Sequence, residues 1–223
     1  MDMWSGTDYR ASIYTHKKGR ATMPGTPKLP EGITPADHVP GPRQGEWTYS
    51  HYAALPDDGC RHEIIDGVLY VAPPIRTVSH QQIAACIGYY FYSFVTLKGR
   101  GNVIAGPIDV EFAPRTVVQP DLLVLLGGVN NEFLLSSHVT GPPDLVVEIL
   151  EPHTVEHDRG RKYNAYARGG VREYWIVDPL ARSVEIYALE AGIYHRLGIF
   201  RGEDFLPSWV IKDFTVRVDQ FFI

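Results

Sequence analysis

The sequence predicts a mixed α/β (α+β) domain, a mixed sheet flanked by helices. Three observations predict it. The apolar runs Leu122–Leu126, Leu145–Leu150 and Tyr174–Val177 are short and nearly unbroken, the pattern of strands buried on both faces. A polar segment of helical period separates the second run from the third, and a longer helix-period stretch precedes all three. Alternating segments joined by turn residues stand at both ends of this core, as antiparallel hairpins do.

In chain order, residues 1–45 read as an irregular N-terminal arm. Pro24, Pro27, Pro30, Pro35, Pro40 and Pro42 each interrupt a helix or a central strand, and Lys17, Lys18 and Arg20 form a small solvated basic cluster. Residues 46–223 read as a single domain. A short helix is expected over Thr48–Leu55 with Ser50 as its cap, ended by the turn Pro56-Asp57-Asp58-Gly59. Cys60–Pro74 predicts a hairpin about Asp66-Gly67. Strand alternation there places Glu63 and Ile65 on one face, so the Glu63 carboxylate is either exposed at an edge or aimed at a site.

Ser79–Leu97 is the longest expected helix. Ser79 and Gln82 match a capping box, Ile83, Ile87, Tyr90, Phe91, Phe94 and Val95 recur at helical spacing, and Lys98-Gly99 suits its end. Its aromatics read as core, and His80 alone is a weak site signal. Asn102–Ala113 reads as strand, break and strand, with Asp109 and Glu111 on a polar face. Val117–Leu126 follows as the first central strand, then a loop over Val129–Gly141. After the second strand, Thr154 caps a helix that runs to about Arg168 and stops at Gly169-Gly170. Asp158, Lys162 and Tyr166 share one side of it. Arg172–Pro179 reads as the third central strand, and Ser183–Leu189 and Gly192–Phe200 form a late hairpin. Leu206, Trp209, Val210 and Ile211 are expected to cover a sheet face.

The bulk numbers narrow the function. With 223 residues and 44% hydrophobic composition, the chain can bury a core without staples. The two cysteines, Cys60 and Cys86, imply neither a disulfide framework nor a metal-spaced pair, which makes a reducing cytoplasm the default. No apolar stretch approaches a membrane span, and the N-terminus lacks the apolar core of a signal peptide. A formal net charge of -5 argues against general polyanion binding by bulk electrostatics, while leaving room for a local basic groove or for metal ions that offset carboxylates.

Chemistry concentrates in the central strands. A carboxylate in a strand buried on both faces is costly unless paired or metal-bound, and both Glu148 and Asp121 are in that position. Converging carboxylates suit Mg²⁺ or Mn²⁺, with the Ile149 carbonyl as a further ligand. Lys162, on the following helix, can orient or activate water or stabilise charge on a phosphoryl group. A structural ion-pair cluster, with Glu148 bridging to Arg159 or Arg161, explains the same residues. A two-carboxylate glycosidase is a weaker alternative, because the aromatics read as core.

The segments HEIIDGVLYVAPP, SHQQI, PDLLVL, GPPDLVVEILEPHT and RKYNAYARGGVREYWIVDP, in this order and followed by VEIY and GIY, resemble the Uma2 family. These are restriction-endonuclease-like proteins of the PD-(D/E)XK nuclease superfamily. The resemblance runs from about residue 48 to the C-terminus. It implies a restriction-endonuclease-like fold and metal-dependent phosphodiester hydrolysis, with DNA as the substrate. It matches Asp121 to the acidic residue of the PD element and Glu148 to that of the second element. Leu150 stands where the usual lysine would be, and Lys162 resembles the lysine that this family carries on the next helix. Glu63 resembles the early acidic residue of such sites. Glu151 departs from the family's usual serine. The expected site is therefore Asp121, Glu148, Lys162 and Glu63, with Asp121, Glu148 and Ile149 as ligands of Mg²⁺ or Mn²⁺. A homodimer is expected for a two-strand cut. The alternatives are a catalytically silent nuclease fold that binds DNA or protein, and a soluble interaction domain whose carboxylates make only ion pairs.

Overall fold

The computed structural model describes residues 32–73, 77–127 and 137–223. Residues 1–31, which hold the basic cluster, and most of the loop expected over 129–141 lie outside the described residues.

Two six-stranded sheets form the body. Across its width the first runs β1 (Thr34–Pro35), β3 (Val68–Ala72), β2 (Arg61–Ile65), β6 (Thr116–Val118), β5 (Val110–Ala113) and β8 (Val139–Thr140). The second runs β12 (Ile193–Arg201), β11 (Ser183–Glu190), β10 (Glu173–Asp178), β9 (Leu145–Ile149), β7 (Leu122–Leu126) and β4 (Gly101–Ala105). The second sheet is mixed: β9 and β10 are parallel, and the other pairs are antiparallel.

Where one sheet was expected there are two, and Pro120 is the reason. Val117–Leu126 is not one strand. Pro120 has no N–H to give to a ladder. The chain leaves the first sheet after β6 and enters the second at β7, with Asp121 at the crossing. Thr34 and Pro35, inside the stretch read as an arm, pair with Val71 and Tyr70, and Ala36 beside them is buried.

The turns form as their residues require. Asp66 and Gly67 have φ of 54° and 77°, the primed turn that suits a right-twisted hairpin. Ala191 and Gly192 repeat the device, with φ of 48° and 80°, between β11 and β12. Helix α1 (Tyr49–Tyr52) is capped by Thr48, not Ser50. Helix α2 (Val78–Phe94) starts one residue earlier than its sequence suggested: the Thr77 hydroxyl accepts from the His80 N–H at 3.3 Å, and Ser79 is already helical.

The crossover from β9 to β10 is helical in two parts, a π-helical turn over His157–Lys162 and helix α3 (Tyr163–Gly169), which ends on Gly170 at φ 90°. Three apolar cores result. One packs α2 and the C-terminal segment on one face of the second sheet, through Ile83, Ile87, Phe91, Val147, Trp175 and Phe221. Leu206, Val210 and Ile211 belong to it as expected, but Trp209 is 53% exposed. The second core lies on the opposite face, against α3 and the first sheet, and the third covers the far side of the first sheet with Trp47.

Candidate active site

Alternation along the central strands sorts their side chains. Leu122, Val124, Leu145 and Val147 point into the α2 core, while Leu123 and Val146 point into the core shared with α3. Period two therefore places Asp121 and Glu148 on the α3 side. The register Leu122↔Val147, carried one step further, sets Asp121 opposite Glu148. Both are buried. The first sheet supplies Glu63 from β2, on the same face as Ile65 as its alternation predicted. It is buried, so the edge-exposed reading does not hold.

Lys162 joins them. Its Nζ lies 2.6 Å from Glu148 Oε1, 3.0 Å from Glu63 Oε1 and 3.8 Å from Asp158 Oδ1. The π turn contributes: Tyr163 N–H donates to the Asp158 carbonyl, five residues back, and the widened turn keeps Asp158, Lys162 and Tyr166 on one buried side. Glu148 does not bridge to Arg159 or Arg161. Arg159 pairs with Glu185 at 2.6 Å, and Arg161 stacks over the Tyr70 ring at 5.0 Å.

Asp121, Glu63 and Glu148 are each also held by a donor from an aromatic side chain. His80 Nε2 donates to Asp121 Oδ2 at 3.0 Å, and the Ile149 N–H donates to the same oxygen at 2.7 Å. His157 Nε2 donates to Glu63 Oε2 at 2.9 Å. Tyr166 OH donates to Glu148 Oε1 at 2.5 Å. Glu151 is buried and accepts from the Thr77 hydroxyl at 2.9 Å, so it ties the end of β9 to the cap of α2.

Arg61, His157 and Gln119 were not singled out in the sequence. Arg61 carried a readable signal, since it lies two residues before Glu63 on the same strand face. Its Nη2 donates to the Gln119 carbonyl at 2.6 Å and stands 3.8 Å from Glu63 Oε1. His157 carried none, because its partner Glu63 is 94 residues away.

The charges are unequally settled. Burial raises the Glu63 carboxyl, but Lys162, the His157 bond and Arg61 outweigh it and hold it well below the usual carboxylate range. Asp121 is likewise lowered: burial opposes, while His80, Arg61 and Lys162 prevail. Glu148 goes the other way. Burial pushes it well above its ordinary value, Asp158, Asp121 and Glu63 add to the push, and Lys162 only partly opposes it. Burial also disfavours the Lys162 ammonium, yet Glu148, Glu63 and Asp158 more than compensate, and its pKa is raised.

This donor set fits a hard divalent cation. Five buried carboxylates (Glu63, Asp121, Glu148, Glu151 and Asp158) line the space with two full cations, Lys162 and Arg61, and Glu148 is left over-supplied with negative neighbours. The carboxylates and Lys162 border a void of about 10 Å³, room for one small particle. Among the described residues no group of three His, Cys, Asp or Glu side chains is spaced to hold a metal by itself. One or two carboxylates with water and substrate phosphate completing the shell is the usual arrangement for Mg²⁺. Asp121, Glu148 and the Ile149 carbonyl are the groups here that would hold it.

A family model, Uma2, described as "Putative restriction endonuclease", matches residues 49–219. Among solved structures, a protein from Anabaena variabilis titled "a putative nuclease belonging to DUF820" is similar over 78% of this chain and 97% of its own, with a TM-score of 0.65. At 17% identity that likeness shows the fold. No curated protein matches.

Proposed function

The chain belongs to the Uma2 family, and from that membership and the acidic core just described we propose that it is a divalent-metal-dependent nuclease that hydrolyses phosphodiester bonds in DNA. The observation that carries the reading is the meeting of Asp121, Glu148 and Lys162. Two acids on paired strands and an ammonium from the next helix converge, with 2.6 Å between Lys162 Nζ and Glu148 Oε1.

A bound Mg²⁺ or Mn²⁺ would polarise the phosphate and lower the pKa of a bound water. The chain's own residues do the rest. His80 and the Ile149 N–H fix Asp121 through Oδ2, and Tyr166 fixes Glu148 through Oε1. Glu63 accepts from the Gln119 N–H at 2.9 Å and from His157, and so becomes the anchor for Lys162. Because its neighbours keep Lys162 protonated, its part is to orient water and offset charge developing on the phosphoryl oxygens, not to remove a proton.

A second reading has one observation in its favour: Lys162 already bonds Glu148 and Glu63, as in a structural ion-pair cluster. The two part on metal. Supercoiled and branched DNA are incubated with the protein in Mg²⁺ or Mn²⁺, alongside Glu148→Ala. The nuclease reading expects metal-dependent nicking or cutting that falls roughly 10³-fold in the variant. Mn²⁺ titration calorimetry with no heat of binding, together with intact DNA, would sink it.

A further inference from the structure

Beside the acidic void lies a groove of about 420 Å³, within the size range of small-ligand sites. Arg61, His80 and Asp121 line both spaces, so the groove opens directly from the site. Its floor is the face of α2 that carries Gln81, Ala84, Ala85 and Gly88. The opposite wall holds Gly106, whose N–H donates to the Asp121 carbonyl at 2.7 Å, so whatever fills the groove rests on the segment that carries Asp121.

Two polar side chains, His80 and Arg61, line this space at the end nearest the carboxylates. His80 is buried, and its Nδ1 has no hydrogen-bond partner among the described residues. A buried orphan of that kind calls for an explanation. Arg61 spends Nη2 and Nε on Gln119, and its Nη1 takes part in neither bond. A floor of mostly small residues with a guanidinium and an imidazole at the end nearest the carboxylates suits a nucleotide. In such a fit the base and sugar would lie over the alanines, with the phosphate toward Arg61. We infer that this groove seats the nucleoside adjoining the scissile phosphate, with Arg61 against the phosphate. The inference rests on the nuclease reading above and names the part of the substrate that the site would grip.

Thymidine 5′-monophosphate, thymidine and inorganic phosphate serve as separate probes of the full-length protein, with the methyl resonances of Ala84 and Ala85 followed by NMR. The nucleotide is expected to move both signals saturably. Ala85 is exposed on the helix, so Ala85→Phe fills the groove without entering the core, and it should weaken nucleotide binding at least tenfold with the melting temperature unchanged. Arg61→Gln should weaken nucleotide and phosphate but not thymidine. Phosphate alone reproducing the nucleotide shifts, or Ala85→Phe binding like wild type, would overturn the groove. Metal-dependent DNA cleavage with an unaltered KM in Ala85→Phe also rejects it while leaving the nuclease reading intact. Saturable nucleotide shifts in a protein that cuts no DNA would do the reverse.

Discussion

At the level of single residues, Glu148 is the group in conflict. Its carboxyl is raised by burial and by Asp158, Asp121 and Glu63. A carboxyl raised in the folded state binds more protons there than in the unfolded chain. Stability of the metal-free protein then falls as pH rises from the ordinary carboxylate range through the raised value. Glu63 and Asp121 are lowered, and their contribution, present above the ordinary range, is lost as pH falls through it. Metal-free stability is therefore expected to rise from neutral pH to about pH 5 and to collapse below about pH 4. Urea titrations across that range check the shape. Glu148→Gln removes the charge without removing the shape. It should raise metal-free stability by about 1 kcal/mol, ~2–4 °C for a domain of this size, while abolishing Mn²⁺ binding. A variant no more stable than wild type at pH 7.5 would mean that Glu148 is comfortably ionised beside Lys162. The same conflict predicts that Mn²⁺ displaces a proton, read as a binding enthalpy that changes with the ionisation heat of the buffer.

At the level of elements, two local devices hold the frame that presents the acids. Glu173 at the start of β10 is fully buried. It accepts from Trp175 Nε1 at 2.6 Å, the Ser208 hydroxyl at 2.8 Å, and the N–H groups of Trp209 and Val210 at 2.6 and 3.0 Å. It is a latch for the segment that closes the α2 core. Glu173→Ala leaves several buried donors unpaired and should cost about 3 kcal/mol or more, seen as faster amide exchange at Val210 and Ile211 and a lower melting point. At the other hairpin, Gly67 combines φ 77° with a close approach, since a Cβ there would meet the Gly45 carbonyl oxygen at 2.3 Å. Gly67→Ala is expected to destabilise by roughly 2 kcal/mol, because backbone must move to admit it. Unchanged melting would show that the loop at Gly45 yields freely.

At the level of the whole molecule, the fold brings charge from both sheets into one space. Glu63 comes from the first sheet, Asp121 and Glu148 from the second, and Lys162 from the crossover between β9 and β10. A cation bound there bridges the body, so it should stabilise the global fold and not merely a loop. With Mn²⁺ at 100 times its dissociation constant, unfolding should become about 2.7 kcal/mol harder. Asp121→Asn should lose most of that gain in a thermal melt. An equal gain in the variant would place the cation elsewhere. A net charge of -5 makes such binding sensitive to salt only at the exposed mouth, because the buried charges are screened little.

What could be read without coordinates was whatever short range dictates. Strand period placed Glu63 with Ile65, the turn residues placed both hairpins, and burial of polar residues in apolar runs marked Asp121 and Glu148. Lys162 was reachable because helix period aligned it with Asp158 and Tyr166. The second sheet was hidden, since a proline in an apolar run does not say that the chain changes sheets. His157 escaped for a related reason: the worth of a histidine depends on what faces it, and here that is a carboxylate 94 residues away in sequence, whereas Arg61 was legible from its place two residues before Glu63 on the same strand face. Alternation and turn chemistry are properties of neighbours along the chain and are written in the sequence. The charge state of Glu148, the hold on Lys162 and the groove beside them arise from desolvation and from contacts between the sheets, which only the tertiary structure decides.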